Sequence, residues 1–157
     1  MILVADSSAL IALALIDKLD LLDKLFGKVF VPKEVYNEVI KADKPESHKL
    51  KYFLQDKIAE LQHENYIISD FNITKGEFHA MLLYKSLNAD LLMIDDKKAK
   101  KIAKMNNIKT IGSLGILLSA KEKGYLEEIK SSLETLRNSY IFLSDNLIVQ
   151  VLKIAGE

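Results

Sequence analysis

Apolar residues are laid along this chain in two rhythms. Short runs at Ile2–Ala5, Lys28–Val31, Tyr66–Ile68, Leu91–Ile94 and Lys109–Ile111 read as strands. The first and fourth are apolar throughout, as expected of strands buried on both faces of a parallel sheet. Between them the spacing becomes helical. Ser7 to about Leu25 divides into two short helices, the second stopping at Gly27, and Lys33–Lys41 puts Val35, Tyr36, Val39 and Ile40 on one face, with Pro32 at its entry. His48–Leu61 reads as a charged, peripheral helix. Thr74-x-x-Glu77 has the form of a capping box opening a helix, Glu77–Leu87, that is apolar almost all round and therefore buried. Lys97–Met105, Ser113–Lys123, Tyr125–Arg137 and Asn146–Ile154, the last capped by Ser144-Asp145, complete the helices. The predicted order is β-α-α-β-α-α-β-α-β-α-β-α-α-α. Strands alternating with helices specify the α/β class: a parallel sheet covered on both faces by right-handed crossovers, here with a helical C-terminal flank.

Composition narrows the partners. The 157 residues are 49% hydrophobic, with only two prolines, which fits one globular domain over residues 1–157. Lys+Arg and Asp+Glu balance at 22 each, so any nucleic-acid contact must come from a local patch. With no cysteine, disulfides and thiolate metal sites are excluded. The apolar N-terminal run ends at Ile16, contains Asp6 and has no basic leader, so it reads as neither signal peptide nor membrane span. A soluble, cytoplasmic protein without a membrane partner is expected.

The candidate chemistry is acidic. Asp6 follows the first strand directly, and Asp95-Asp96 follows the fourth. Carboxyl ends of parallel strands are where open α/β sheets bind ligands. Glu38 lies at the margin of the apolar face of its helix, and Glu77 starts the central helix. Each acid also has a plainer reading: Asp6, Asp95 and Asp96 as helix caps, Glu77 as half of the capping box, Glu38 as a solvated surface residue. If they share one sheet edge, however, they repel unless a cation sits among them. Hard oxygen donors without histidine or cysteine favour Mg²⁺ or Mn²⁺. Such a site suits metal-assisted phosphodiester hydrolysis. A lysine cluster, Lys97, Lys98, Lys100, Lys101 and Lys104, begins beside Asp96 and is either a wet helix face or a phosphate contact. His79 has no partner at ligand spacing.

The segments VADSSALIALA, VFVPKEVYNEVI, GEFHAMLLYKSLNADLLMIDDKKAKKIA, IKTIGSLGILLSAKEKG and FLSDNLIVQVL occur in an order that resembles the PIN-domain nucleases. These comprise VapC-type toxins and their stand-alone archaeal and bacterial relatives. The match is strongest to the branch with an IGxLGxLL-type segment. The resemblance implies a three-layer α/β/α fold and cleavage of single-stranded RNA. One or two Mg²⁺ or Mn²⁺ ions would serve in-line attack on phosphorus, leaving 5′-phosphate and 3′-hydroxyl ends. It assigns Asp6, Glu38, Glu77 and either Asp95 or Asp96 as catalytic, metal-binding acids, with Ser7 as a supporting donor. Lys97, Lys100, Lys101 and Lys104 become substrate contacts. A homodimer and, for toxin pairs, a small antitoxin are implied partners. The chain departs from its branch at His79, where a second glutamate is common, and at Tyr84, where a small residue is usual. Two other readings stay open at this level. One is a PIN domain that binds RNA or protein without cutting. The other is an aspartate-based phosphotransfer or phosphatase domain, although Ser8 stands where the second aspartate of the dehalogenase pattern belongs.

Overall fold

The computed structural model describes residues 1–61, 65–69 and 72–157. Its elements run β1 (Ile2–Ala5), α1 (Ser7–Leu15), α2 (Asp20–Phe26), β2 (Lys28–Pro32), α3 (Lys33–Lys41), α4 (Pro45–Leu54), β3 (Ile58–Ala59) and α5 (Lys75–Ser86). Then follow β4 (Leu91–Met93), α6 (Lys97–Met105), β5 (Thr110–Ile111), α7 (Ser113–Glu122), α8 (Lys130–Arg137) and α9 (Asp145–Ala155). The five strands form one parallel sheet in the order β3-β2-β1-β4-β5. Helices cover it to give the three-layer α/β/α arrangement.

β1 is the centre of that sheet. Leu3, Val4 and Ala5 are wholly buried, and Val4 pairs with Phe30 of β2 on one side and Leu92 of β4 on the other. Burying each such Leu or Val side chain contributes about 1.5–3 kcal/mol, which explains why these strands carry no polar alternation. The chain runs outward from β1 through β2 to β3, then returns to β4 and β5. The order therefore reverses between β1 and β4, and their carboxyl ends flank the topological switch point, the ligand crevice of doubly wound sheets. α5 packs across β1, β2 and β4 and against α3. Ala80, Met81 and Leu83 are fully buried there, as a nearly all-apolar helix requires.

Three expectations need correction. The third strand is Ile58–Ala59, which pairs with Val31 and Pro32, and helix α4 ends at Leu54 instead of running to Leu61. Two residues are too few to show a period, and the flanking Asp56, Lys57 and Glu60 imitate a solvated helix. Tyr66–Ile68 is not a strand. The side-chain amide of Asn106 does the pairing at Ile68: its Oδ1 accepts from the Ile68 N–H at 2.8 Å and its Nδ2 donates to the Ile68 carbonyl at 2.8 Å. Finally, α8 begins at Lys130, not Tyr125, because the Glu157 carboxylate accepts from the Ile129 and Lys130 N–H groups at 2.8 and 3.0 Å. That partner lies 27–28 residues away and is invisible to local pattern. Among the described residues no helix is long and apolar enough to cross a membrane.

Candidate active site

Asp6 emerges from β1 as the N-cap of α1, and its own N–H donates to the Met93 carbonyl at 2.8 Å, locking the ends of β1 and β4 together. Its Oδ2 accepts from the Ser8 hydroxyl at 3.0 Å and, at 3.4 Å, from the Ser8 N–H. The same Ser8 hydroxyl accepts from the Asp95 N–H at 3.3 Å, so it bridges the two strand ends. Asp6 is only 1% exposed. Loss of hydration pushes its carboxyl from 3.8 up to about 6, and the nearby Glu77 charge adds to the rise, against the hydrogen bonds from Ser7 and Ser8.

Glu38 reaches this edge from α3. Its Oε2 accepts from the Ser7 hydroxyl at 2.6 Å, and its Oε1 accepts from the Gly76 N–H at 3.1 Å. Ser7 Oγ also lies 3.4 Å from Asp6 Oδ1, so one hydroxyl stands between two acids. Glu77, in the first turn of α5, closes the capping box expected of it. Thr74 Oγ1 accepts from the Glu77 N–H at 3.1 Å, and Glu77 Oε2 accepts from the Thr74 N–H at 2.8 Å. Burial raises the Glu77 carboxyl above the usual range, with the charges of Asp96 and Glu38 adding to the effect.

The adjacent aspartates separate. Asp95 turns towards α7, where its Oδ1 accepts from the Ser113 N–H at 2.8 Å and its Oδ2 from the Ser113 hydroxyl at 2.7 Å. Asp96 is exposed and caps α6, using Oδ1 to accept from the Ala99 N–H at 2.8 Å. Its charge is one of those felt at Glu77.

All five carboxylates rest on backbone N–H groups at helix N-termini: Asp6 on α1, Glu38 and Glu77 on α5, Asp96 on α6 and Asp95 on α7. Helix N-termini carry partial positive charge and free amides, which lets acids gather on one edge. Among the described residues none of the five has an ion-pair partner, although eight salt bridges form elsewhere. The donor set is hard oxygen, partly buried and short of positive charge, which fits a divalent cation. The side chains nevertheless rest on amides, and among the described residues no three His, Asp or Glu are grouped as ready-made metal ligands.

A cavity of about 400 Å³ opens beside Asp95, with Lys97, Lys100, Gly112 and Ser113 on its wall and Ile141, Leu143 and Leu147 of the C-terminal flank opposite. The buried face of α6 is Ala99, Ile102 and Ala103, which leaves its five lysines outward or half-buried, and none of them forms an ion pair among the described residues. His79 is structural: Nδ1 lies 2.8 Å from the Lys75 carbonyl and Nε2 lies 3.7 Å from Glu34. Tyr84 accepts from the Lys109 N–H at 3.4 Å. Ser8, Gly76 and Ser113 escaped the sequence reading. The only trace of Ser8 was the serine doublet after Asp6, and nothing local marks the other two.

The family model described as DUF3368: PIN domain matches residues 2–157. No curated protein and no solved structure gives a significant match. A parallel sheet in this order, with acids at its switch point and a family match over nearly its whole length, places the chain in the PIN-domain family, whose members are generally nucleases.

Proposed function

We propose that this protein is a Mg²⁺- or Mn²⁺-dependent endoribonuclease that hydrolyses single-stranded RNA, in the manner of VapC-type toxins and related PIN ribonucleases. The observation that carries the reading is the set of carboxylates at the β1/β4 switch point without a cationic partner among the described residues. Asp6, Glu38, Glu77 and Asp96 are the acids that would hold the cation. Asp95, turned onto Ser113 at the start of α7, would brace the β4 end against that helix. A divalent cation supplies charge neutralisation at a phosphate oxygen and activation of water.

The chain's own residues do the rest. Burial of Asp6 excludes bulk water from one side of the site and strengthens its electrostatics. Ser7 orients the Glu38 carboxylate at 2.6 Å. Lys97 and Lys100 face the cavity next to Asp95, and Lys101 and Lys104 continue along α6, about 6 and 10 Å of helix rise beyond Lys97. Spaced in this way they suit successive phosphates of a single strand. Lys97, in the first turn of α6, opposes the helix macrodipole, a small cost that a phosphate contact would offset.

The test is incubation of purified protein with mixed single-stranded RNA in Mg²⁺, Mn²⁺ or EDTA. Cleavage with a divalent ion, lost in EDTA and in Asp6→Asn, is the expected result. Metal-dependent RNA binding without cleavage would favour a PIN domain that binds without cutting, a reading supported by the parked state of the acids. The proposal extends to a homodimer, which light scattering measures directly, and to inhibition by a small antitoxin.

A further inference from the structure

Gly76 is the second residue of α5, where backbone conformation does not demand glycine. Only proline is a poorer helix former, so its presence in the first turn calls for a local reason. The reason is visible in space. A Cβ built on Gly76 would fall 2.5 Å from both Glu38 carboxylate oxygens and 2.7 Å from Glu38 Cδ. No real Cβ tolerates such contacts. The Gly76 N–H meanwhile donates to Oε1 at 3.1 Å, while Ser7 holds Oε2 at 2.6 Å.

We propose that Gly76 is a positioning residue that seats the Glu38 carboxylate at the acid edge, through its bare Cα and its N–H. The proposal rests on the reading of Glu38 as a metal-binding acid. The atoms in the way are the far end of a flexible, exposed side chain, so a methyl group at position 76 displaces the carboxylate without breaking the helix. Fold and function therefore separate. A glycine needed only for packing would not behave in this way.

The experiment uses the full chain as parent, Gly76→Ala, Glu38→Gln, Glu38→Ala and the double variants, melted in EDTA and in a Mn²⁺ titration. In Mn²⁺, Gly76→Ala is expected to need roughly 10–100-fold more metal for the same stabilisation, the range typical for loss of a group that orients a ligand. Adding it to Glu38→Gln should cause no further loss. Additive losses, or an unchanged Mn²⁺ requirement in Gly76→Ala, overturn the proposal. In EDTA, Gly76→Ala should change the melting temperature more favourably in the Glu38→Ala background than in the parent, because only the parent loses the N–H to carboxylate bond. Equal changes in the two backgrounds, or unfolding in both, overturn the seat itself. This metal-free comparison also keeps the two hypotheses apart. A parent that ignores Mn²⁺ and leaves RNA intact defeats the nuclease reading, while the seat still stands or falls on the EDTA melts.

Discussion

Replacing Asp6 with asparagine should make the metal-free protein more stable at neutral pH, and by an amount that depends on pH. Asp6 is held in the fold with its carboxyl raised from 3.8 to about 6, chiefly by burial. The folded state therefore binds this proton more tightly than the unfolded chain does. Below about pH 4 both states hold it and the group contributes no difference. As pH rises from about 4 to 6 the unfolded chain releases it first, and folding loses stability at up to about 1.4 kcal/mol per pH unit. Above pH 6 the full penalty, about 3 kcal/mol, is in place. Asparagine binds no proton and still accepts as an N-cap, so it escapes the penalty.

The assay is urea unfolding of both proteins in EDTA at pH 4, 5, 6 and 7.5. Any fixed cost of exchanging one oxygen for an amide is the same at every pH and drops out of the comparison. The stability difference should move in favour of Asp6→Asn by roughly 2–2.5 kcal/mol between pH 4 and 7.5, with most of the change before pH 6. A flat difference across that range would refute the claim that burial outweighs the hydrogen bonds Asp6 accepts. On the proposed metal reading, saturating Mn²⁺ should move the difference back towards the parent, since a ligand bound only by the folded parent stabilises only the parent.

The remaining predictions concern the other charged groups. Glu77→Gln keeps an oxygen for the Thr74 N–H, so its unfolding free energy should change by less than about 1 kcal/mol, while the Mn²⁺-induced rise in melting temperature disappears. The two aspartates should behave oppositely. Asp95→Asn weakens charge-assisted bonds to Ser113 and costs about 1–2 kcal/mol in denaturant melts with the Mn²⁺ response retained, whereas Asp96→Asn stays capped and loses the response. Lys97→Ala/Lys100→Ala should flatten the salt dependence of single-stranded RNA binding by roughly 0.7 in log–log slope per lost contact, and Lys98→Ala much less, as fluorescence titrations at several salt concentrations will read.

How much of this was legible beforehand follows from the range over which each feature is written. β1 and β4 declare themselves because strands buried on both faces need unbroken apolar runs, and Asp6 and Asp95 break those runs where the sheet ends. The Thr74–Glu77 capping box is a four-residue signal and formed as read. The periodic reading matches thirteen of the fourteen described elements in order and type; the third strand lay elsewhere, inside a stretch read as helix. At Ile68 the pairing comes from Asn106, a residue that local pattern marks only as a helix breaker. The start of α8 depends on Glu157 in the same way. In the site, Glu38 on its own looks like a surface glutamate. Its importance comes from Ser7 and Gly76, 31 and 38 residues away in sequence, and only the fold brings these together.

The same contacts explain how five acids coexist on one edge of a chain with no net charge. Crowded carboxylates ordinarily take up protons or acquire lysine and arginine partners. Here they acquire neither partner among the described residues, and burial raises the carboxyls of Asp6 and Glu77, the two most buried. The compensation comes from backbone amides at four helix N-termini, each worth about 0.3–1 kcal/mol to an anion. Parallel α/β topology directs those termini to the carboxyl ends of the strands, so acids placed just after β1 and β4 meet amides without any further design. Fixed amides cannot be exhausted or titrated away, but they are weak beside a divalent cation. The edge is thus tolerable when empty of metal and still short of positive charge. A site that folds on its own and, as proposed, takes up a cation needs that balance, and Asp6 sets how far it tips with pH.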